Sequence, residues 1–146
     1  MVSRTSPTES ANCLCFNLRK AARAITQTYD SALAPMGLKA TQFTVLQVTA
    51  SISGAPMSRL ARQLGMDRTT LTRNLQPLEK KELIRVTSGK DRRERMVHLT
   101  EHGQDVLNTA LPLWKGAQTK LYSALGPVGF VSLLDRLDSV TDKASA

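Results

Sequence analysis

The chain has 146 residues, 41% of them apolar, and twenty Lys and Arg against twelve Asp and Glu give a formal charge of +8. That length supports one good core or one domain with an extension, and no run is long enough to cross a bilayer as a helix. The excess positive charge favours a polyanionic partner, with nucleic acid, a ribosome or an acidic membrane surface all compatible with charge alone. Two cysteines two positions apart cannot staple distant parts of a fold, so no disulfide framework is expected.

Residues 1–10 are polar and lack the apolar run of a secretory signal, which makes a flexible tail and a cytoplasmic address the expectation. Leu14, Leu18, Ala21, Ala22, Ile25, Tyr29 and Leu33 then recur at helical spacing. They predict one long helix from about Ala11 to Ala34, ended by Pro35 and Gly37. A second helix is expected to start near Thr41 as N-cap. Its Phe43, Val45, Leu46 and Val48 leave little polar face, so it should lie buried. Ser53-Gly54-Ala55-Pro56 breaks it, Ser58 can cap a third helix, and Gly65 can close that one.

The next segment, Asp67 to Lys80, separates its chemistry into two faces. At about 100° per residue, Leu71, Leu75 and Leu78 fall on one side, while Thr69, Thr72, Arg73, Gln76 and Lys80 fall on the other. With Asp67 as N-cap and the short helix before it, this is the pattern of a helix-turn-helix whose second helix docks by its leucines and reads DNA by its polar face. Hydroxyls, an amide and a guanidinium can donate to phosphates or purine edges. Pro77 should bend this helix just past its base-reading turn.

Ile84 and Val86 alternate with polar neighbours, as do Val97 and Leu99. Between them lies Ser88-Gly89-Lys90-Asp91-Arg92-Arg93-Glu94-Arg95. Two alternating runs around a charged, glycine-containing loop predict a β-hairpin, and directly after a reading helix such a hairpin is a wing. Arginine at its tip suits the negative potential of a minor groove. Thr100 should cap a long helix bent at Pro112, and Gly126-Pro127 restarts the chain in a last helix with Phe130, Leu133, Leu134, Leu137 and Val140 on one stripe.

The expected fold is therefore mainly α with a small β-hairpin wing: a winged helix-turn-helix over residues 38–100, a dimerisation helix over 11–37 and dimerisation helices over 101–146. A winged helix alone cannot cover the stripes of the first and last helices, so a two-fold homodimer is the economical partner.

The run from Met57 to Gly103 resembles the MarR family of bacterial transcriptional regulators. The likeness is carried by Leu60-Ala61, Leu64-Gly65, Arg68-Thr69-Thr70-Leu71-Thr72-Arg73, Leu78-Glu79-Lys80-Lys81, Leu83-Ile84, Asp91-Arg92-Arg93 and Leu99-Thr100-Glu101-His102-Gly103. The resemblance implies a triangular homodimer with interlocked terminal helices, binding a pseudopalindromic double-stranded operator, and usually repression relieved by a ligand or an oxidant. It implies that Arg73 and its neighbours Arg68, Thr69, Thr70, Thr72 and Gln76 contact the duplex. The wing residues Lys90, Arg92, Arg93 and Arg95 do so from the side, Arg93 matching the wing arginine and Asp91 the aspartate that orients it. Glu82 stands where the family commonly has glycine, which costs on the order of 1 kcal/mol if the backbone there is left-handed.

Cys13 and Cys15 lie at the head of the first helix, where free N–H groups and the helix dipole favour a thiolate, with Arg19 one turn from Cys15. Cys-x-Cys at this place resembles oxidant-sensing members of the family, and Cys15 matches the reactive cysteine of the organic-hydroperoxide-sensing branch. The tyrosines that support that cysteine have no counterpart in Lys39-Ala40-Thr41-Gln42-Phe43. Two side chains two apart on a helix point about 200° from each other, so a local disulfide must distort the first turn. An intersubunit disulfide, a sulfenic acid with mixed disulfides and soft-metal binding are the other outcomes. The rival reading has inert cysteines and a small aromatic or phenolic effector in the cleft between the dimer helices and the winged helix. No enzyme, cofactor or metal is expected: there is no phosphate loop or paired-carboxylate arrangement, and His98 and His102 fall on different elements.

Overall fold

The computed structural model describes residues 4–146. Its elements are α1 (Leu14–Leu33), α2 (Ala40–Ser51), β1 (Ala55–Pro56), α3 (Met57–Leu64), α4 (Arg68–Lys80), β2 (Ile84–Ser88), β3 (Arg95–Leu99), α5 (Glu101–Leu125) and α6 (Pro127–Ala144), with single 3-10 turns at Ser10–Asn12 and Ala34–Met36. Residues 1–3 of the expected tail lie outside the described residues.

The core belongs to the winged helix. Leu33, Leu38, Phe43, Val45, Leu46, Leu60, Leu71, Leu75, Leu78, Leu83, Ile84 and Val97 are buried and packed together. As expected, α2 is buried on most sides and α4 docks by Leu71, Leu75 and Leu78. Gly65 closes α3 in the left-handed region (φ 63), and its amide reaches back to the carbonyls of Ala61 and Arg62. Both α4 and α5 continue through their prolines, Pro77 and Pro112.

The wing is a three-stranded antiparallel sheet in the order β1-β3-β2, where the pattern predicts a two-stranded hairpin. β2 and β3 pair in register from Ile84 opposite Leu99 to Ser88 opposite Arg95, while Ala55 and Pro56 add to the other edge of β3 opposite Val97 and Met96. That added strand also corrects the start of α3. The chain enters extended from Pro56 and turns helical at Met57, so Ser58 is already inside the helix and no side chain caps it. Similarly α2 begins at Ala40 and not at a Thr41 cap. The Asp30 carboxylate accepts the Ala40 amide at 2.7 Å, and Gln42 Oε1 accepts the Lys39 amide at 3.0 Å, so the helix is already under way when Thr41 is reached. Asp67 and Thr100 cap as expected, accepting from the amides of Thr70 (2.7 Å) and Gly103 (2.9 Å).

α1 matches its apolar pattern but starts later than the expected Ala11. After the 3-10 turn at Ser10–Asn12, Cys13 is extended (φ −60, ψ 117) and the α-helix proper starts at Leu14. Asn12 Nδ2 donates to the Ser6 carbonyl at 2.7 Å, so part of the segment read as a tail folds back on the helix head. α6 buries none of its residues, and Val128 is 83% exposed and Leu14 of α1 68% exposed. These are the two stripes that the winged helix does not cover.

Candidate nucleic-acid interface

α4 presents its polar face to solvent along its whole length. Arg68, Thr69, Thr70, Thr72, Arg73 and Gln76 are all exposed, because the three leucines on the opposite face are anchored in the core. The Asp67 carboxylate is held below the usual carboxylate range, chiefly by the backbone hydrogen bond from Thr70, which favours its charged form. Thr72 Oγ1 donates to the Arg68 carbonyl at 2.8 Å and Asn74 Nδ2 to the Thr70 carbonyl at 2.8 Å, which orients both side chains along the helix.

The wing stands beside this helix. Its loop is closed by the Gly89 amide donating to the Glu94 carbonyl at 2.7 Å and the Glu94 amide donating to the Asp91 carbonyl at 2.9 Å. Asp91 Oδ1 accepts the main-chain amide of Arg93 at 3.1 Å, so the aspartate shapes the turn that carries Arg93. Lys90, Arg92 and Arg93 are exposed on this loop, and Arg95 lies at the start of β3. Two cavities separate wing and reading helix. One, of about 370 Å³, is lined by Arg68, Thr72, Gln76, Glu79 and Arg95 among others. The second, of about 290 Å³, is lined by Ser58, Arg68, Asp91, Arg93, Glu94 and Arg95 over Met57. Arg68 and Arg95, twenty-seven positions apart in sequence, border both. Helical periodicity carries no signal for this convergence, nor for the carboxylates of Glu79 and Glu94 that share the clefts. A surface of exposed hydroxyls, amides and arginines beside a basic loop can contact a polyanionic duplex from two sides.

The two thiols are brought to one place, but not on one helix. Cys13 precedes α1 in extended backbone and Cys15 lies in its first turn, and both are exposed and unpaired. The 200° separation expected for two helical positions therefore does not apply, since the Cys13 backbone is not helical. Asn17 fixes the join: its main-chain amide and its Nδ2 both donate to the Cys13 carbonyl, at 3.1 and 2.9 Å. His98 sits on β3 with Nε2 3.0 Å from Thr87 Oγ1, while His102 is on α5. Among the described residues no group of three His, Cys, Asp or Glu side chains is placed to hold a metal ion.

A third feature joins the flanking helices to the core. Trp114 of α5 stacks on Phe43 of α2 and on Tyr29 of α1, whose hydroxyl donates to Gln118 Oε1. Burial pushes the Tyr29 phenol up from its ordinary range. Beside this stack a groove of about 960 Å³ runs between α1 and α5, lined by Thr28, Ala32, Leu113, Gly116, Ala117 and Lys120 among others.

A reading helix braced by a three-stranded wing, with long helices on either side, defines a winged-helix regulator. Residues 36–94 match the MarR family. The chain is 30% identical to the regulator MhqR of Bacillus subtilis over 106 residues, 72% of this chain and 73% of MhqR. It is 32% identical to SarZ of Staphylococcus epidermidis over 96 residues, and that match spans 65% of each protein, a little under two thirds of SarZ. Its structure superposes on the M. tuberculosis regulator MosR in complex with DNA with a TM-score of 0.81 at 38% identity, covering 92% of this chain and 99% of that one. The chain belongs to the MarR family of winged-helix transcriptional regulators.

Proposed function

We propose that the chain is a sequence-specific, homodimeric repressor that is released from its operator by oxidation at Cys13 and Cys15. The observation that carries the DNA reading is the exposed polar face of α4 next to the basic wing loop, with Arg68 and Arg95 both bordering the clefts between them. The similar MosR structure contains DNA. Arg73 and its neighbours read base edges, and Arg93, carried on the turn shaped by Asp91, lies at the minor groove. The unpartnered apolar faces of α1 and α6 supply the dimer contact.

The redox reading rests on two exposed thiols at the start of a helix that itself lies in the dimer face. A thiolate attacks peroxide oxygen to give a sulfenic acid, releasing hydroxide that protonates to water. The second thiolate then attacks the sulfenic sulfur, forming S–S and expelling a second hydroxide. Asn17 of the first turn of α1 holds the Cys13 carbonyl, so a backbone change at Cys13 on forming this bond would be passed to that turn. The groove between α1 and α5, with Lys120 on its rim, supports the second reading, an aromatic or phenolic effector with structural cysteines.

Mobility shifts with the DNA upstream of the coding gene, in reductant and after peroxide, test both. Wild type is expected to bind in reductant and release after peroxide, and the double variant Cys13→Ser, Cys15→Ser to bind under both conditions. Equal release by wild type and the double variant would rule out the thiol switch and leave the effector reading. An Arg93→Ala variant with unchanged affinity and salt slope would remove the wing from the interface.

A further inference from the structure

We infer that Lys81 is a positioning residue, which together with Thr100 ties the far end of the reading helix to both dimer-side helices and so sets the angle at which α4 meets DNA. The inference rests on the dimeric DNA-binding reading above.

α4 ends in a Schellman turn. The Glu82 amide donates to the Glu79 carbonyl and the Leu83 amide to the Leu78 carbonyl, both at 2.9 Å, with Glu82 at φ 59. Two further segments meet at this turn. From one side Lys81 Nζ donates to the Gly37 carbonyl at 2.9 Å, at the end of the 3-10 turn that closes α1. From the other, Thr100 Oγ1 donates to the Glu82 carbonyl at 2.6 Å and the Thr100 amide to the Leu83 carbonyl at 3.1 Å, while the same hydroxyl accepts the Gly103 amide and caps α5. The approach is so close that a Cβ on Gly103 would lie 2.0 Å from the Leu83 oxygen.

α1 and α5 thus grip one end of the helix whose other end reads DNA. The Thr100 side of the grip is built from backbone and a buried glycine, so it holds α4 firmly to α5. The Lys81 bond is the adjustable side: it is exposed, spans 44 residues and ties the winged domain, in which Leu71, Leu75 and Leu78 anchor α4, to the turn that closes α1. A two-fold dimer reads two half-sites whose separation is dictated by the distance and angle between its reading helices. Removing the Lys81 restraint should therefore loosen the dependence of affinity on half-site spacing.

The test uses a duplex selected by the wild-type dimer from a randomised pool, then respaced by one or two base pairs between half-sites. Wild type is expected to lose about tenfold or more in affinity per base pair of respacing. Lys81→Met is expected to lose no more than about threefold, with an unchanged salt slope, and Lys81→Arg to restore the wild-type spacing profile. Sedimentation and circular dichroism establish that both variants remain folded dimers. If Lys81→Met weakens binding equally at every spacing and lowers the salt slope by about one ion, Lys81 is a phosphate contact and the inference is overturned. A spacing profile in Lys81→Met identical to wild type overturns it as well. Failure of the wild type to select any duplex overturns instead the DNA-binding reading on which it rests.

Discussion

Phe43 and Trp114 stack with ring centroids 5.7 Å apart and planes 20° from parallel, joining the buried second helix of the winged domain to the long helix that leaves it. Tyr29 adds α1 to the same stack, 6.5 Å from Trp114 on centroids. One indole therefore links the reading domain to both flanking helices. Trp114→Ala is expected to cost about 3 kcal/mol in urea unfolding, and Trp114→Phe less than half of that, because the stack and most of the buried area survive. Equal losses for the two variants would show that a retained phenyl ring recovers nothing and that the stack with Phe43 does not stabilise the fold.

The junction after α4 predicts opposite responses at two neighbouring positions. Glu82 holds a left-handed conformation without being glycine, so Glu82→Gly should leave stability unchanged or raise it by up to about 1 kcal/mol. Gly103→Ala forces a methyl against the Leu83 carbonyl, an atom of the main chain that cannot swing aside, and should destabilise by about 3 kcal/mol. Thermal unfolding of the two variants beside wild type checks both signs.

Asp67 connects the cap of the reading helix to pH. Its carboxylate is depressed by the Thr70 amide, so the folded state binds the proton less readily than the unfolded chain does. The cap's contribution is fully present above about pH 4, where the unfolded carboxylate is charged, and is lost as pH falls through the lower folded value. Asp67→Asn should flatten that part of the stability profile, measured by denaturant unfolding between pH 2 and 6. A wild-type profile no steeper than the variant's would mean that the cap is not coupled to ionisation.

The exposed apolar faces of α1 and α6 predict a dimer at micromolar concentration. Leu134→Asp or Leu137→Asp should release monomers or unfolded chains by burying an unpaired charge in the contact. Sedimentation equilibrium showing a stable wild-type monomer would remove the covering role assigned to these faces.

Much of the architecture follows from local rules that act over a few residues. Leu71, Leu75 and Leu78 recur at helical spacing, and Asp67 and Thr100 each accept the amide three positions on. The alternation of Ile84, Val86, Val97 and Leu99 sets both strands of the hairpin. The polar face of α4 and the basic loop were legible for the same reason, since periodicity alone separates exposed from buried positions. What needed the tertiary structure are pairings between distant segments. β1 is two residues long and contains proline, so nothing local marks it as a strand, and it exists because β3 offers a free edge to Ala55 and Pro56. Thr41 loses its capping role to Asp30, ten residues before the amide that it captures. Arg68 and Arg95 border the same clefts only when the wing folds beside the reading helix, and Lys81 finds Gly37 only across 44 residues. Short-range spacing determines which face of a helix is apolar, whereas the partner of an end, an edge or a cation depends on how the whole chain closes, because those groups are satisfied by whichever distant donor or acceptor packing brings within reach.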